Sequence, residues 1–92
     1  MLDQKFPNRL RYMRVKNGFT QHEVATMIGK ADHTMLSRYE RGNALPSLTT
    51  AAKFEVIYDT HLNDIFPALF SAARVEVESA RRSQVTSSAP AV

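Results

Sequence analysis

Thr20-Gln21-His22-Glu23-Val24-Ala25-Thr26-Met27-Ile28-Gly29, continuing Lys30-Ala31-Asp32-His33-Thr34-Met35-Leu36-Ser37-Arg38-Tyr39-Glu40-Arg41-Gly42, is the stretch from which the fold is read. Thr20 and Glu23 stand at the spacing of a capping box, in which hydroxyl and carboxylate each satisfy a free backbone N–H at a helix start. The helix they open turns Val24, Ala25 and Ile28 inward and stops at Gly29. Ala25 lies four residues after Gln21, and Gly29 four after Ala25. A small side chain at the first lets two helices cross closely, and glycine at the second permits a left-handed turn between them. A further helix follows over about residues 32–41, with Leu36 and Tyr39 on one face and Gly42 as its stop.

Outward from this centre, Pro7-Asn8 opens a helix over 9–16 with Leu10 and Met13 on one face, and Asn17-Gly18 ends it. Pro46-Ser47 starts a fourth helix with Leu48, Ala51, Ala52, Phe54 and Tyr58 as an apolar stripe, and a short fifth covers about 62–66. Arg74-Val75-Glu76-Val77-Glu78 alternates as a strand would. Against this, Phe66, Phe70, Ala73, Val77 and Ala80 recur at spacings of 4, 3, 4 and 3, the seam of a packing helix, and the helix is the preferred reading. Pro67 suits the first turn of that helix. From about Gln84 the run is small and polar and reads as a disordered tail.

With 92 residues there is room for one small domain. Cysteine is absent, which excludes a disulfide scaffold, a thiol nucleophile and a Cys-ligated metal site. His22, His33 and His61 lack metal-ligand spacing, and no catalytic triad order, phosphate loop or nicotinamide fingerprint occurs. No metal, no cofactor and no enzymatic activity are therefore expected. The start lacks the layout of a signal peptide, and no apolar run is as long as a membrane span, so a cytoplasmic location is expected, with no membrane partner. Net charge is +3, unevenly spread: eight Lys/Arg face four acids through Pro46, and four face five acids from Ser47 onward. A basic half beside a neutral half points to a polyanion-facing side.

Two short helices joined by a glycine turn make a helix-turn-helix, whose second helix can enter a DNA major groove. Arg9-Leu10-Arg11-x-Met13-Arg14, Gly18-x-Thr20-Gln21-x-Glu23-x-Ala25, Leu36-Ser37-Arg38-Tyr39-Glu40-Arg41-Gly42, Pro46-Ser47-Leu48 and Leu62-x-x-Ile65-Phe66 follow in order. Together they resemble the Cro/lambda-repressor-type (Xre-like) helix-turn-helix DNA-binding family over residues 8–66, 59 of the 92. The resemblance implies an all-α fold, a five-helix lambda-repressor-like domain over 1–67; the apolar spacing adds a C-terminal helical extension at 68–83, and the composition a tail at 84–92. It also implies sequence-specific binding to double-stranded DNA and dimers on two-fold operators.

Two departures from the family pattern stand out. One residue more than the commonest spacing separates Gly29 from Leu36; placed near Lys30, it lengthens the turn and keeps Ala31, Leu36 and Tyr39 inward. Glu55 falls where the family commonly has a small apolar residue, and would reach solvent or pair with a base.

Carried over residue by residue, the family pattern makes His33, Thr34, Ser37 and Arg38 base contacts. An arginine there can donate two bonds to guanine O6 and N7. Gln21, Lys30, Arg41 and Asn43 become phosphate contacts, which fix register without reading sequence. Asp32 is read as a cap, because a carboxylate is repelled by phosphate. Met35 is open between a thymine-methyl contact and packing. Arg14 and Glu40 match positions that commonly form a partly buried ion pair in the family. The seam Phe66, Phe70, Ala73, Val77 and Ala80, flanked by charges, is expected to contribute to homodimerisation; in the alternative, Phe66 and Phe70 fold back onto their own domain. The leading expectation is a dimeric repressor. Its rivals are an antitoxin-type regulator that grips a toxin through the C-terminal segment, and a helix-turn-helix that packs on protein.

Overall fold

Side chains that satisfy backbone groups set where the first five helices begin, and residues in the left-handed region set where the first four end. The computed structural model describes residues 5–87. Its helices are α1 (Leu10–Lys16), α2 (Gln21–Met27), α3 (Thr34–Glu40), α4 (Leu48–Tyr58), α5 (Leu62–Ile65) and α6 (Pro67–Ser87), with no strand among the described residues. The chain is thus all-helical, and residues 74–78 lie within α6, which removes the strand reading. The 4-3 apolar spacing prevails there over the short alternation, and Ala, Arg and Glu are good helix formers.

Before α1, the Asn8 side chain accepts from the Leu10 N–H at 2.9 Å and donates to the Tyr39 carbonyl at 2.8 Å. One amide thereby caps the first helix and ties it to the end of α3. The Thr20–Glu23 capping box is present at α2, with both bonds made, at 3.1 and 2.8 Å. At its other end Lys30 N–H reaches the Ala25 carbonyl (2.8 Å) and Gly29 N–H the Thr26 carbonyl (3.0 Å), with Gly29 at φ +83°. These paired bonds are the Schellman ending, which needs the left-handed residue. α3 ends the same way through Gly42 and Asn43, whose N–H groups reach Tyr39 and Arg38 carbonyls. At the end of α4 the left-handed position falls to Asp59, at φ 50°.

Leu10, Val24, Leu36, Phe54 and Ile65 are fully buried, with Met13, Ile28, Tyr39, Tyr58 and Phe66 around them. Ala25 is also fully buried, as a close crossing of α2 and α3 requires. Phe54 is the hinge of the aromatic set, edge-on to Tyr39 and stacked with Tyr58, both at 6.1 Å.

The structure departs from several of these expectations. Ala31 is exposed, because α3 starts only at Thr34 and the lengthened turn holds residues 31–33 away from the core. Leu48 is 81% exposed and Ala52 is exposed; the core face of α4 is Thr50, Ala51, Phe54 and Tyr58. At about 100° per residue, Leu48 and Ala52 fall roughly a quarter-turn or more away from the centre of that face. Glu55 neither ends in solvent nor pairs with a base: its carboxylate accepts from the Leu62 N–H at 2.7 Å and caps α5. Phe66 is 3% exposed, inside its own domain, and so leaves the proposed seam. It terminates α5, and the turn into α6 directs it at the core. The helix also runs past 83, so residues 84–87 of the expected tail are helical. No proline or glycine interrupts them, and a helix once nucleated extends at little cost. The remainder of that tail, 88–92, lies outside the described residues.

Candidate nucleic-acid interface

α3 is amphipathic in a way that leaves one face unused by the core. Leu36, Tyr39 and Glu40 are buried, whereas Thr34, Arg38 and Arg41 are exposed and Ser37 is half-buried. Thr34, Ser37, Arg38 and Arg41 are spaced by three, one and three residues, so they share one side of the helix. His33 sits just before, exposed, with no side-chain cap bond of its own. Asp32 supplies that cap, its carboxylate accepting from the Thr34 N–H at 2.9 Å. The Thr34 backbone N–H and then its hydroxyl hold the Asp32 carboxyl below its usual value. Met35 is half-buried and packs against the core, with its sulfur 3.9 Å from an Arg38 guanidinium nitrogen. Packing is thus what Met35 does, while its sulfur accepts from the Arg38 guanidinium.

The opposite side of α3 is clamped. Arg14 Nε donates to Glu40 Oε2 at 2.6 Å and Arg14 Nη2 to Glu40 Oε1 at 3.1 Å, a bidentate pair with side chains 12% and 1% exposed. Arg14 Nη1 also donates to the Phe19 carbonyl at 3.1 Å. Gln21 Nε2 donates to Glu40 Oε1 at 3.0 Å. One buried carboxylate thus receives bonds from α1 and α2 and fixes the roll of α3 about its own axis. The hydrogen bond with Glu40 raises the Arg14 pKa further against the opposing effect of burial, so the guanidinium stays charged. Beside it the Tyr58 hydroxyl is buried without a hydrogen-bond partner among the described residues. Burial and then the Glu40 charge push its ionisation well above the tyrosine range.

Of the residues read as phosphate contacts, Lys30, Arg41 and Asn43 are exposed at the two ends of the α3 unit. Gln21 is half-buried, and one of its amide hydrogens is already used on Glu40. Three sets of interactions have no counterpart in the sequence analysis, which gives Asn8 only as part of the opening of the first helix. Asn8 ties α1 to the α3 terminus; its place two residues before the first buried leucine was the available signal. Lys53 donates to the Ile28 carbonyl at 3.3 Å and closes the end of α2, a long-range contact with no local signature. On α1, Arg9 and Lys16 lie 4.8 and 5.8 Å from the centre of the exposed Tyr12 ring, adding two cations held by an aromatic face.

Among the described residues no group of His, Asp or Glu could hold a metal ion, and no helix is long and apolar enough to cross a membrane. A helix-turn-helix family model matches residues 10–65. A protein of Pyrococcus furiosus, provisionally named an HTH-type transcriptional regulatory protein, is 38% identical over 63 residues, 65% of this chain and 20% of that protein. An uncharacterized HTH-type transcriptional regulator of Archaeoglobus fulgidus is 34% identical over 58 residues, 63% of this chain and 81% of that protein. The chain therefore spans about a fifth of the length of the first relative and most of the second. No solved structure matches significantly.

Proposed function

The chain belongs to the helix-turn-helix family of Cro/lambda-repressor type, and from that premise we propose that it is a sequence-specific, double-stranded DNA-binding transcriptional regulator. It acts in the cytoplasm as a dimeric repressor that inserts α3 into the major groove. The observation that carries this reading is the division of α3: one side is locked by Glu40, Arg14 and Gln21, and the other presents Thr34, Ser37 and Arg38 with no structural duty to the core. Arg38 has no ion-pair partner among the described residues, and beyond the nitrogen that meets the Met35 sulfur its guanidinium keeps N–H groups to grip a base edge. His33 and Thr34, at the helix start, meet the groove floor first. Lys30, Arg41 and Asn43 flank that helix and hold phosphates, and Gln21 does so with its remaining amide hydrogen.

Selection of bound duplexes from a randomised library tests the proposal. Recovery of a two-fold-related sequence, with affinity falling steeply as salt rises, is the expected result. Recovery of no sequence, or binding indifferent to salt, would sink it and favour a helix-turn-helix that packs on protein. The unpartnered face of α6 also suits an antitoxin-type regulator, in which that helix grips a toxin; such a protein would bind the same DNA.

A further inference from the structure

α6 is a single helix of 21 residues that leaves its domain after the first turn and carries an apolar seam that no other described residue covers. With Phe66 withdrawn into the core, the seam is Phe70, Ala73, Val77 and Ala80, all exposed, Phe70 and Val77 by 37% and 50%. Phe70, Ala73 and Val77 line a shallow groove whose rim is Arg74, Glu78 and Arg81. In a heptad these seam residues occupy a, d, a and d. The positions beside the seam follow: Arg74 and Arg81 are both e, while Leu69 and Glu76 are g.

That placement selects a partner and an orientation. We propose that the exposed face of α6 recognises a second copy of itself, the two helices pairing in parallel with Glu76 of each against the partner's Arg81. This deepens the dimeric reading above and rests on it. In a parallel pair, g faces the e of the next heptad: Glu76 meets Arg81, and Leu69, 42% exposed, covers the stem of Arg74. Neither Glu76 nor Arg81 has an ion-pair partner among the described residues, so both are available. An antiparallel pair would fill its layers by setting Phe70 against Ala80, but it brings e against e. Both e positions are arginine, so every such contact is like-charged in any register. The same apolar side chains leave water either way, and the flanking charges therefore decide. Val77 at an a position also suits a two-stranded parallel coil.

The chain has no cysteine, which makes crosslinking clean. Ala73→Cys and Ala80→Cys, prepared separately in the full chain and oxidised without DNA, should each crosslink to their own kind, because parallel strands face identical residues. Failure of both to crosslink, with a disulfide forming instead in a mixture of Phe70→Cys and Ala80→Cys chains, shows antiparallel strands and overturns the orientation. Charge exchange gives a second reading by sedimentation: Glu76→Arg and Arg81→Glu should each weaken dimerisation roughly ten-fold, and the double exchange should restore it. An Arg81→Glu chain that dimerises more tightly, or a parent chain that sediments as a monomer, overturns the proposal. A chain that pairs as described but selects no duplex supports this interface and overturns the DNA reading; a chain that selects duplex as a monomer does the reverse.

Discussion

Glu40 is the residue on which fold and function meet. Its carboxylate is 1% exposed and holds Arg14 by two bonds and Gln21 by one, so removing it strands a half-buried guanidinium. Glu40→Ala should destabilise the domain by about 3–5 kcal/mol, the usual cost of breaking a buried pair. Thermal melting should register that loss along with weakened DNA binding, whereas Thr34→Ala should leave melting nearly unchanged; an unaltered melting curve for Glu40→Ala would remove the clamp from the account. The neighbouring Tyr58 poses the opposite case, a buried hydroxyl without a partner. Tyr58→Phe removes only that hydroxyl and should stabilise the domain by about 1 kcal/mol or more, read from chemical denaturation. A destabilised variant would mean that the hydroxyl is satisfied in solution. On the outward side, Arg38→Ala should cost about 1–3 kcal/mol of binding and relax preference at one base position. Affinities measured across a panel of single-base operator variants check this, and a uniform loss on every sequence would make Arg38 a phosphate contact.

At the scale of elements, the helices are short, and their ends matter as much as their middles. α2 and α3 each end on a Schellman pair with a glycine in the left-handed region, while α4 ends on Asp59 in that same region. A Cβ at Gly29 would meet only the Lys53 amine, at an ordinary contact distance of 3.7 Å, so the penalty there is conformational and not steric. Gly29→Ala should therefore lower stability by about 1–2 kcal/mol. Asp59→Gly should do the reverse, gaining up to roughly 1 kcal/mol by relieving a side chain from that conformation. Opposite shifts in melting temperature for the two variants are the expected outcome; shifts of the same sign would show that the backbone conformation is not what sets these stops.

For the molecule as a whole, the principal extents are 53 × 32 × 22 Å, and the long dimension reflects α6 standing off a compact five-helix unit. Ending the chain after Pro67 keeps Phe66, Ile65 and the rest of the core. The shortened protein should fold, sediment as a monomer, and bind a full operator more weakly through lost pairing. Sedimentation of the shortened and parent chains side by side decides it: equal dimerisation would place the interface elsewhere. One other surface could then be responsible, since Leu48, Ala52 and Val56 form an exposed row along α4.

Local rules make most of the helices legible in the sequence alone. Capping pairs, glycine stops and apolar spacing act within four residues, and they located α1, α2, α4 and α5 closely from Thr20, Glu23, Gly29, Ser47 and their neighbours. The outward face of α3 was legible through the family pattern rather than through any local rule. What tertiary packing decided is of another kind. Ala31 and Leu48 are apolar and near apolar neighbours in sequence, yet they are exposed because the lengthened turn and the roll of α4 carry them off the core. Phe66 had the right spacing for a seam, but the bend after α5 gave it to the core instead. Glu55, Asn8 and Lys53 act on backbone groups of other elements, up to 31 residues away, and spacing along a chain carries no information about such partners. Periodicity reports which residues share a face of one helix; which face is covered depends on where the neighbouring helices lie.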